Sequence, residues 1–369
     1  MAKKKKSVKV NIMSDTQLSN KYPNSGRASV IAVPKDKVLR LPTRSLAINH
    51  QLNGGPVYGK ILELFGEEST GKSLLAMDLI YSAQALGGVG IWADAENSFN
   101  AHWFEKNGID LDNLYLMTEQ SGIELISDWV RDTIISVRSK LIKNEPIVLV
   151  IDSVATLRCI TEIGESQMDA SAKFGNRAKA ISDMLGTRNS LFAMAGVIVV
   201  MINQLRKKIG ATQWEDPDKT VGGDALKFYA AQRIGIAKGK QIKRLVNGVE
   251  KKVGQVTYVR TKKDKTGPPR SSTETAVYFI GNKLNPVGFS RYTSLPEVLV
   301  ETKVLTRKKG SSRYYLGDKM VANGEEALIK KLQEDDKLRK QLIAISPINT
   351  ISKTKAQLEK ITTNLYTID

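Results

Sequence analysis

The chain predicts an α/β fold in which a mainly parallel sheet is covered by helices on both faces. Short apolar runs alternate with stretches at helical spacing, the pattern of repeated strand–helix units. One strand–helix joint carries a complete G-x-x-x-x-G-K-[ST] loop, and a second buried-type strand ends in a carboxylate.

Taken in order, residues 1–37 are polar and basic, and Pro23 and Pro34 interrupt regular structure, so this part reads as a basic arm and linker. From Val38 the apolar runs predict strands over Ile61–Phe65, Val89–Ala93, Leu114–Met117, Ile147–Ile151 and Val197–Ile202. Helical spacing predicts helices over 74–86, 101–107, 122–142 and 170–194. Three closely spaced strands, Gln232–Ala237, Val256–Arg260 and Thr275–Ile280, predict an antiparallel extension of the sheet. After about residue 285 the composition changes: Pro286, Pro296, the dense Arg307-Lys308-Lys309-Gly310 and a helical stretch Glu325–Leu342 mark a small further unit. The expected organisation is an arm at 1–37, a core at 38–284, and a C-terminal α/β domain with its tail at 285–369.

With 369 residues and 41% hydrophobic content the chain can bury a large core. No apolar stretch approaches the ~20 residues that cross a bilayer, and Met1-Ala2-Lys3-Lys4-Lys5-Lys6 lacks a signal peptide's apolar segment, so a cytoplasmic setting without membrane partners is expected. The single Cys159 excludes an internal disulfide, and two histidines leave little for a zinc site. A formal charge of +18 favours polyanionic partners such as nucleic acid, without identifying one.

The loop Gly66-Glu67-Glu68-Ser69-Thr70-Gly71-Lys72-Ser73 follows an apolar strand and opens a helix. Its glycines let several backbone N–H groups converge, and the positive helix end makes that point a polyphosphate site. Lys72 is expected to reach the terminal phosphates and Ser73 to offer an oxygen to Mg²⁺. Asp152, closing the strand Ile147–Ile151, can complete the metal shell from the carboxyl edge of the sheet. A third strand runs into Asp94-Ala95-Glu96, and either acid could activate water; spacing alone does not choose.

These segments, in order, resemble the RecA family of ATP-dependent recombinases over about 300 residues. The resemblance is carried by Gly66–Ser73, Asp94-Ala95-Glu96, Ile151-Asp152-Ser153-Val154-Ala155, Ile202–Gly210 and Val221–Ala230. It implies a RecA-like core that binds ATP and Mg²⁺, with Glu96 activating the hydrolytic water and Gln204 sensing the terminal phosphate. It also implies that Trp103 lies against the adenine, where a core tryptophan is the competing reading. Lys263 and Lys265 would come from a neighbouring copy to stabilise transition-state charge, which makes the assembly a head-to-tail helical filament.

The segment from Leu205 to Val221 contains Arg206, Lys207, Lys208 and Trp214 and ends at Gly222-Gly223, a pair able to take positive φ. Cations with a stacking indole suit a grip on single-stranded DNA. The resemblance matches an earlier DNA loop to Glu162–Met168, so Met168 and, on the next helix, Lys173 and Arg177 join the expected DNA contacts. The implied function is polymerisation on single-stranded DNA with homology search and strand exchange in duplex DNA. Rival readings are a ring-forming helicase-type ATPase and a nucleotide-switched DNA-binding scaffold. The non-acidic tail departs from the family's bacterial pattern, and a divergent, virus-encoded member fits that departure.

Overall fold

A ten-stranded sheet organises the computed structural model, which describes residues 38–118, 122–141, 145–160, 170–207, 218–220, 223–268, 270, 272–282 and 285–345. The arm expected over 1–37 lies outside them. At the centre, β1 (Ile61–Gly66) is parallel to both β5 (Val197–Lys207) and β7 (Gln232–Val246). Beyond β5 the parallel run continues through β4 (Ile147–Asp152), β2 (Val89–Asp94) and β3 (Leu114–Met117). Beyond β7 the sheet turns antiparallel through β8 (Val249–Asp264), β9 (Thr273–Tyr278) and β10 (Gly288–Phe289). The short β6 (Asp218–Thr220) pairs antiparallel with the last residues of β5.

The central strands read as unbroken apolar runs because both of their faces are covered. Along β4, Val148 and Val150 join the core that holds α2 (Lys72–Ala85), whereas Ile147, Leu149 and Ile151 join the core beneath α4 (Ile123–Lys140) and α5 (Ala170–Met194). The short α3 (Ala101–Lys106) packs Phe104 onto the first face, with Asn100 capping it by accepting from the Trp103 N–H at 2.9 Å. α6 (Ala225–Tyr229) adds Leu226 to the second.

A third core gathers around the hairpin β11 (Arg313–Leu316) and β12 (Lys319–Asn323) with α7 (Leu295–Glu301), α8 (Glu325–Glu334) and α9 (Asp336–Ile345). It includes Leu46 and Ala47 of α1 (Leu46–Gln51). Among the described residues no helix is long and apolar enough to cross a membrane.

Several boundaries differ from expectation. The helical stretch Glu325–Leu342 is two helices, because Asp335 leaves helical geometry at φ −102° and ψ 91° and its carboxylate accepts from the Leu338 N–H at 2.9 Å, starting a new helix. β7 and β8 run far past the apolar segments that predicted them, through a polar stretch closed by Asn247-Gly248. Both turn residues have positive φ, 53° and 78°, which suits a tight hairpin turn and the right-handed twist of its strands.

One buried charge ties the centre together. Glu63 on β1 is fully buried, ion-paired with Arg233 on β7, and accepts from Asn203 Nδ2 on β5 at 3.0 Å. Arg233→Met should therefore strand an uncompensated carboxylate and cost about 3–5 kcal/mol of unfolding free energy, whereas the double change Glu63→Leu with Arg233→Met should cost less. Denaturant unfolding of the two variants against the parent checks this; equal losses would remove the pair from its role.

Candidate nucleotide-binding and hydrolysis site

Strand register brings the candidate residues to one edge of the sheet. Gly66, the last residue of β1, lies opposite Gln204 on β5 and Ile236 on β7, and Asp94 lies opposite Asp152 across β2 and β4. This is the carboxyl edge, where parallel sheets present ligand groups. A Cβ on Gly66 would fall 2.2 Å from the Ile236 carbonyl oxygen, so the loop can leave β1 here only from a glycine. Gly71, at φ +100°, then turns the chain into α2.

The phosphate loop is held from several sides. Thr70 Oγ1 donates to the Glu67 carbonyl at 3.0 Å, and Gln255 Nε2 on β8 donates to the Ser69 carbonyl at 3.0 Å. Lys72 is buried and donates to the carbonyls of Gly66 and Glu67 at 3.1 and 2.7 Å. Burial lowers its pKa, opposed by the carboxylates of Asp152, Glu96 and Glu68. Glu67, Glu68 and Ser69 are exposed at the loop's outer turn.

Ser73 Oγ donates to Asp152 Oδ2 at 2.8 Å. Burial, reinforced by repulsion from Glu96 and Asp94, pushes the Asp152 carboxyl up to about 6, against the Ser73 hydrogen bond and Lys72. A hydroxyl and a carboxylate at this separation are hard oxygen donors of the kind Mg²⁺ takes alongside phosphates and waters. Among the described residues no cluster of three or more His, Cys, Asp or Glu offers an all-protein metal cage, which Mg²⁺ does not require.

The two acids of the Asp94-Ala95-Glu96 turn are in different situations. Asp94 is buried, and its carboxylate accepts from Phe99 N at 2.7 Å and Ser98 Oγ at 3.3 Å, so it closes its own turn. Glu96 is exposed, and its Oε1 accepts from Ser153 Oγ at 2.5 Å and from Gln204 Nε2 at 3.2 Å. Glu96 thus joins the ends of β2, β4 and β5 through side chains.

Trp103 is half-buried: it packs on the core beside Phe104 and also lines a cavity of about 430 Å³ with Ser69–Leu74 and Phe279. Phe279 was not legible as a site residue, because it follows β9 with no motif around it; pairing with β8 is what brings it to the loop. Arg177 Nη1 donates to the Ala155 carbonyl at 3.3 Å and faces a second cavity, bordered by Glu96, Arg158 and Gln204. Lys173 shares α5 with it, its side chain lying outside the described residues.

Lys263 and Lys265 are not at the phosphate loop. Lys263 pairs in register with Arg233, near the start of β7, and donates to the carbonyls of Lys227 and, at 3.3 Å, Phe228. Burial, then Lys265 and Arg233, lowers its pKa. The Lys265 N–H bonds the Ala231 carbonyl at 2.9 Å. Arg206 and Lys207, expected in a loop, prolong β5 and pair with Lys219 and Asp218, so the residues on either side of 208–217 form a two-stranded stem. Gly223 takes φ +75°, and a Cβ there would lie 3.1 Å from Ala178 on α5. Met168, Lys208, Trp214 and Gly222 lie outside the described residues.

A phosphate loop with an adjacent hydroxyl–carboxylate pair, at the carboxyl edge of a parallel sheet, defines a P-loop nucleoside-triphosphate-binding protein. Sequence comparison narrows the class. The family described as RecA N-terminal domain matches residues 13–283. Protein RecA of Roseiflexus castenholzii is 32% identical over 335 residues, 89% of this chain and 87% of that protein. Protein RecA of Bacteroides thetaiotaomicron is 32% identical over 86% of this chain and 91% of its own length. That of Frankia alni is 34% identical over 82% of each. The chain belongs to the RecA family.

Asp152→Asn removes a buried negative charge that faces Glu96 and Asp94. Without nucleotide the variant should melt no lower than the parent, while its affinity for ATP in Mg²⁺ should fall roughly tenfold or more. Differential scanning fluorimetry with and without Mg²⁺ and ATP reads both; undiminished Mg²⁺-dependent stabilisation would exclude Asp152 from the metal shell.

Proposed function

We propose that this chain is an ATP-dependent DNA recombinase that polymerises head to tail along single-stranded DNA and carries out homology search and strand exchange with duplex DNA. One observation supports this above the others. Lys263 and Lys265 lie at the end of the β7–β8 pair away from the phosphate loop, beside Glu63 rather than Gly66. Their own chain's loop is beyond their reach, whereas the loop of a copy stacked on that end is not. A contact of one end on the other is heterologous, and where its rotation does not close into a ring it generates a helix.

In this reading the amides of Gly66–Ser73 and the Lys72 ammonium hold the triphosphate, and Trp103 with Phe279 takes the base. Ser73 and Asp152 would hold Mg²⁺, which would supply charge neutralisation of the phosphates. Glu96 orients the attacking water and accepts its proton, its carboxylate steadied by Ser153 and Gln204. Gln204 lies on β5, so a change in its hydrogen bonding is felt by the strand that carries Arg206 and Lys207 and precedes Lys208 and Trp214 in the chain. Lysines 263 and 265 of the next copy stabilise transition-state charge, which makes hydrolysis depend on assembly.

Residues 1–37 are assigned to contact with the neighbouring copy, 38–284 to ATP and single-stranded DNA, and 285–369 to capture of duplex through the exposed Lys308, Lys309, Arg313 and Lys319. Met168, Lys173, Gly222 and Gly223 are assigned to single-strand contact, together with Arg177, which lines a cavity bordered by Glu96. Action in the cytoplasm is proposed with the rest.

Glu96→Gln should bind ATP normally and hydrolyse it 10²–10⁴-fold more slowly, a loss on the order of a general base's contribution. The seam has a sharper test. Lys72→Ala chains and Lys263→Ala/Lys265→Ala chains should each be inactive, yet a 1:1 mixture should regain DNA-stimulated hydrolysis, since about a quarter of randomly formed seams join an intact loop to intact lysines. An inactive mixture that still assembles would overturn the shared site. Trp214→Ala should weaken single-strand binding by roughly 5- to 150-fold, read by titration at matched salt. Closed rings in electron micrographs with single-stranded DNA and a non-hydrolysable ATP analogue would favour the helicase-type ATPase.

A further inference from the structure

Lys263 and Lys265 flank a carboxylate whose hydrogen bonds go elsewhere. Asp264 is the last residue of β8, and both of its oxygens are turned to other donors. Oδ1 accepts from the Thr266 N–H at 2.7 Å and from Thr266 Oγ1 at 2.6 Å, closing a short turn. Oδ2 accepts from Asn53 Nδ2 at 2.9 Å and from Gln232 Nε2 at 3.3 Å. An aspartate beside two lysines can neutralise one of them. Occupied in this way, Asp264 leaves both ammonium groups to act on an anion outside their own chain.

The turn is fastened from beneath. Arg40 is buried; its Nη2 donates to the Thr266 carbonyl at 2.8 Å, and its Nη1 to the carbonyls of Leu52 and Gly55 at 2.9 and 3.1 Å. Asn53 Nδ2 also donates to the Pro268 carbonyl at 3.0 Å. Residues 264–268 are thus tied to the segment 52–55, which follows α1 and leads toward β1. On the other side, the Lys265 N–H holds the Ala231 carbonyl just ahead of β7. Asn53 takes φ +53°, a left-handed conformation that asparagine adopts more readily than most residues with a side chain.

Charge gives the fastening a purpose. Side chains two residues apart along an extended chain project to one side. Burial first, and then the nearby Lys265, lowers the Lys263 pKa, so the two ammonium groups repel each other. A pair of cations on a loose backbone moves apart, whereas a fixed backbone keeps the pair together. Cations held ready in this way stabilise negative charge as it develops, with no reorganisation at the moment of reaction.

We propose that Asp264 is a positioning residue for ATP hydrolysis: bonded to Asn53, Thr266 and Gln232, it fixes the backbone from which Lys263 and Lys265 reach the phosphates held by a neighbouring copy. Arg40 and Asn53 serve the same end from beneath the turn. This rests on the shared-site reading proposed above and adds to it the groups that aim the lysines.

The test uses the full chain with Asp264→Ala and, separately, with Asn53→Gly, which removes the tether yet suits the positive φ. With single-stranded DNA present, Asp264→Ala should lower kcat about 10- to 100-fold, since a misplacement of about 1 Å can cost on the order of a hundredfold. Its KM for ATP should stay within about twofold of the parent's, because its own phosphate loop is intact. Asn53→Gly should lower kcat at least about threefold with the same unchanged KM. Mixing then locates the defect. Asp264→Ala chains keep the loop and Lys72→Ala chains keep the lysine turn, so a 1:1 mixture should regain hydrolysis at about a quarter of its seams. A 1:1 mixture of Asp264→Ala with Lys263→Ala/Lys265→Ala chains should regain none, because both lesions lie in the same half of the site.

A parent-like kcat in either variant overturns the positioning role. So does a loss confined to KM, which places the defect in the variant's own loop. Recovery in the mixture with Lys263→Ala/Lys265→Ala chains overturns it as well. The same holds if Asp264→Ala fails to complement Lys72→Ala while Lys263→Ala/Lys265→Ala succeeds, the mark of a chain damaged throughout. If that reference mixture assembles and is also inactive, the shared site itself fails, and the positioning role with it.

Discussion

Everything at the nucleotide edge depends on β1 being held in parallel between β5 and β7. The register of those two ladders sets Gly66 level with Gln204 and Ile236, and the approach is so close that no side chain fits where the phosphate loop departs. Because Glu63 is buried beneath that point and bound from both flanking strands, a shift of β1 by one residue would expose an unpaired charge to the core as well as invert its apolar faces. The same strands therefore fix the fold and aim the loop.

The electrostatics of the edge follow from the topology. Strands β2 and β4 end level with each other in Asp94 and Asp152, and Glu96 follows within the next turn. Three carboxyl groups at neighbouring strand ends repel one another, and the rise in the Asp152 pKa registers that repulsion on top of burial. Lys72 is the fixed positive charge among them. The hydrogen bonds then give each acid a different role. Asp94 faces inward on its own turn, Asp152 faces Ser73, and Glu96 faces outward between Ser153 and Gln204. Environment, not residue type, distinguishes them.

Much of this was legible in the sequence. The strands over 61–66, 89–94, 147–152 and 197–202 announce themselves as apolar runs because both of their faces are buried, and the helices 170–194 and 101–106 carry clear spacing. The loop and the carboxylate pair were legible because their chemistry requires a fixed spacing. What spacing could not convey was adjacency: nothing in the chain says that β5 rather than β2 borders β1, and hence that Gln204 meets Glu96. The outer half of the β7–β8 ribbon was hidden for a different reason. Both of its faces meet solvent, so it has no hydrophobic alternation, and only Asn247-Gly248 betrays the hairpin. The division of 325–345 into two helices was similarly written in a pair of adjacent aspartates, Asp335-Asp336, inside an otherwise continuous amphipathic stretch.

The parallel centre of the sheet also has a direction. Its carboxyl edge carries the phosphate loop, and Lys263 and Lys265 sit toward the opposite edge. In the head-to-tail assembly proposed above, copies stacked one edge upon the other would inherit that arrow, so the fibre would have chemically unlike tips: one a phosphate cradle, the other ammonium groups. Growth and shrinkage at the two tips would then involve different surfaces, and directionality would need no further machinery than the orientation of the strands.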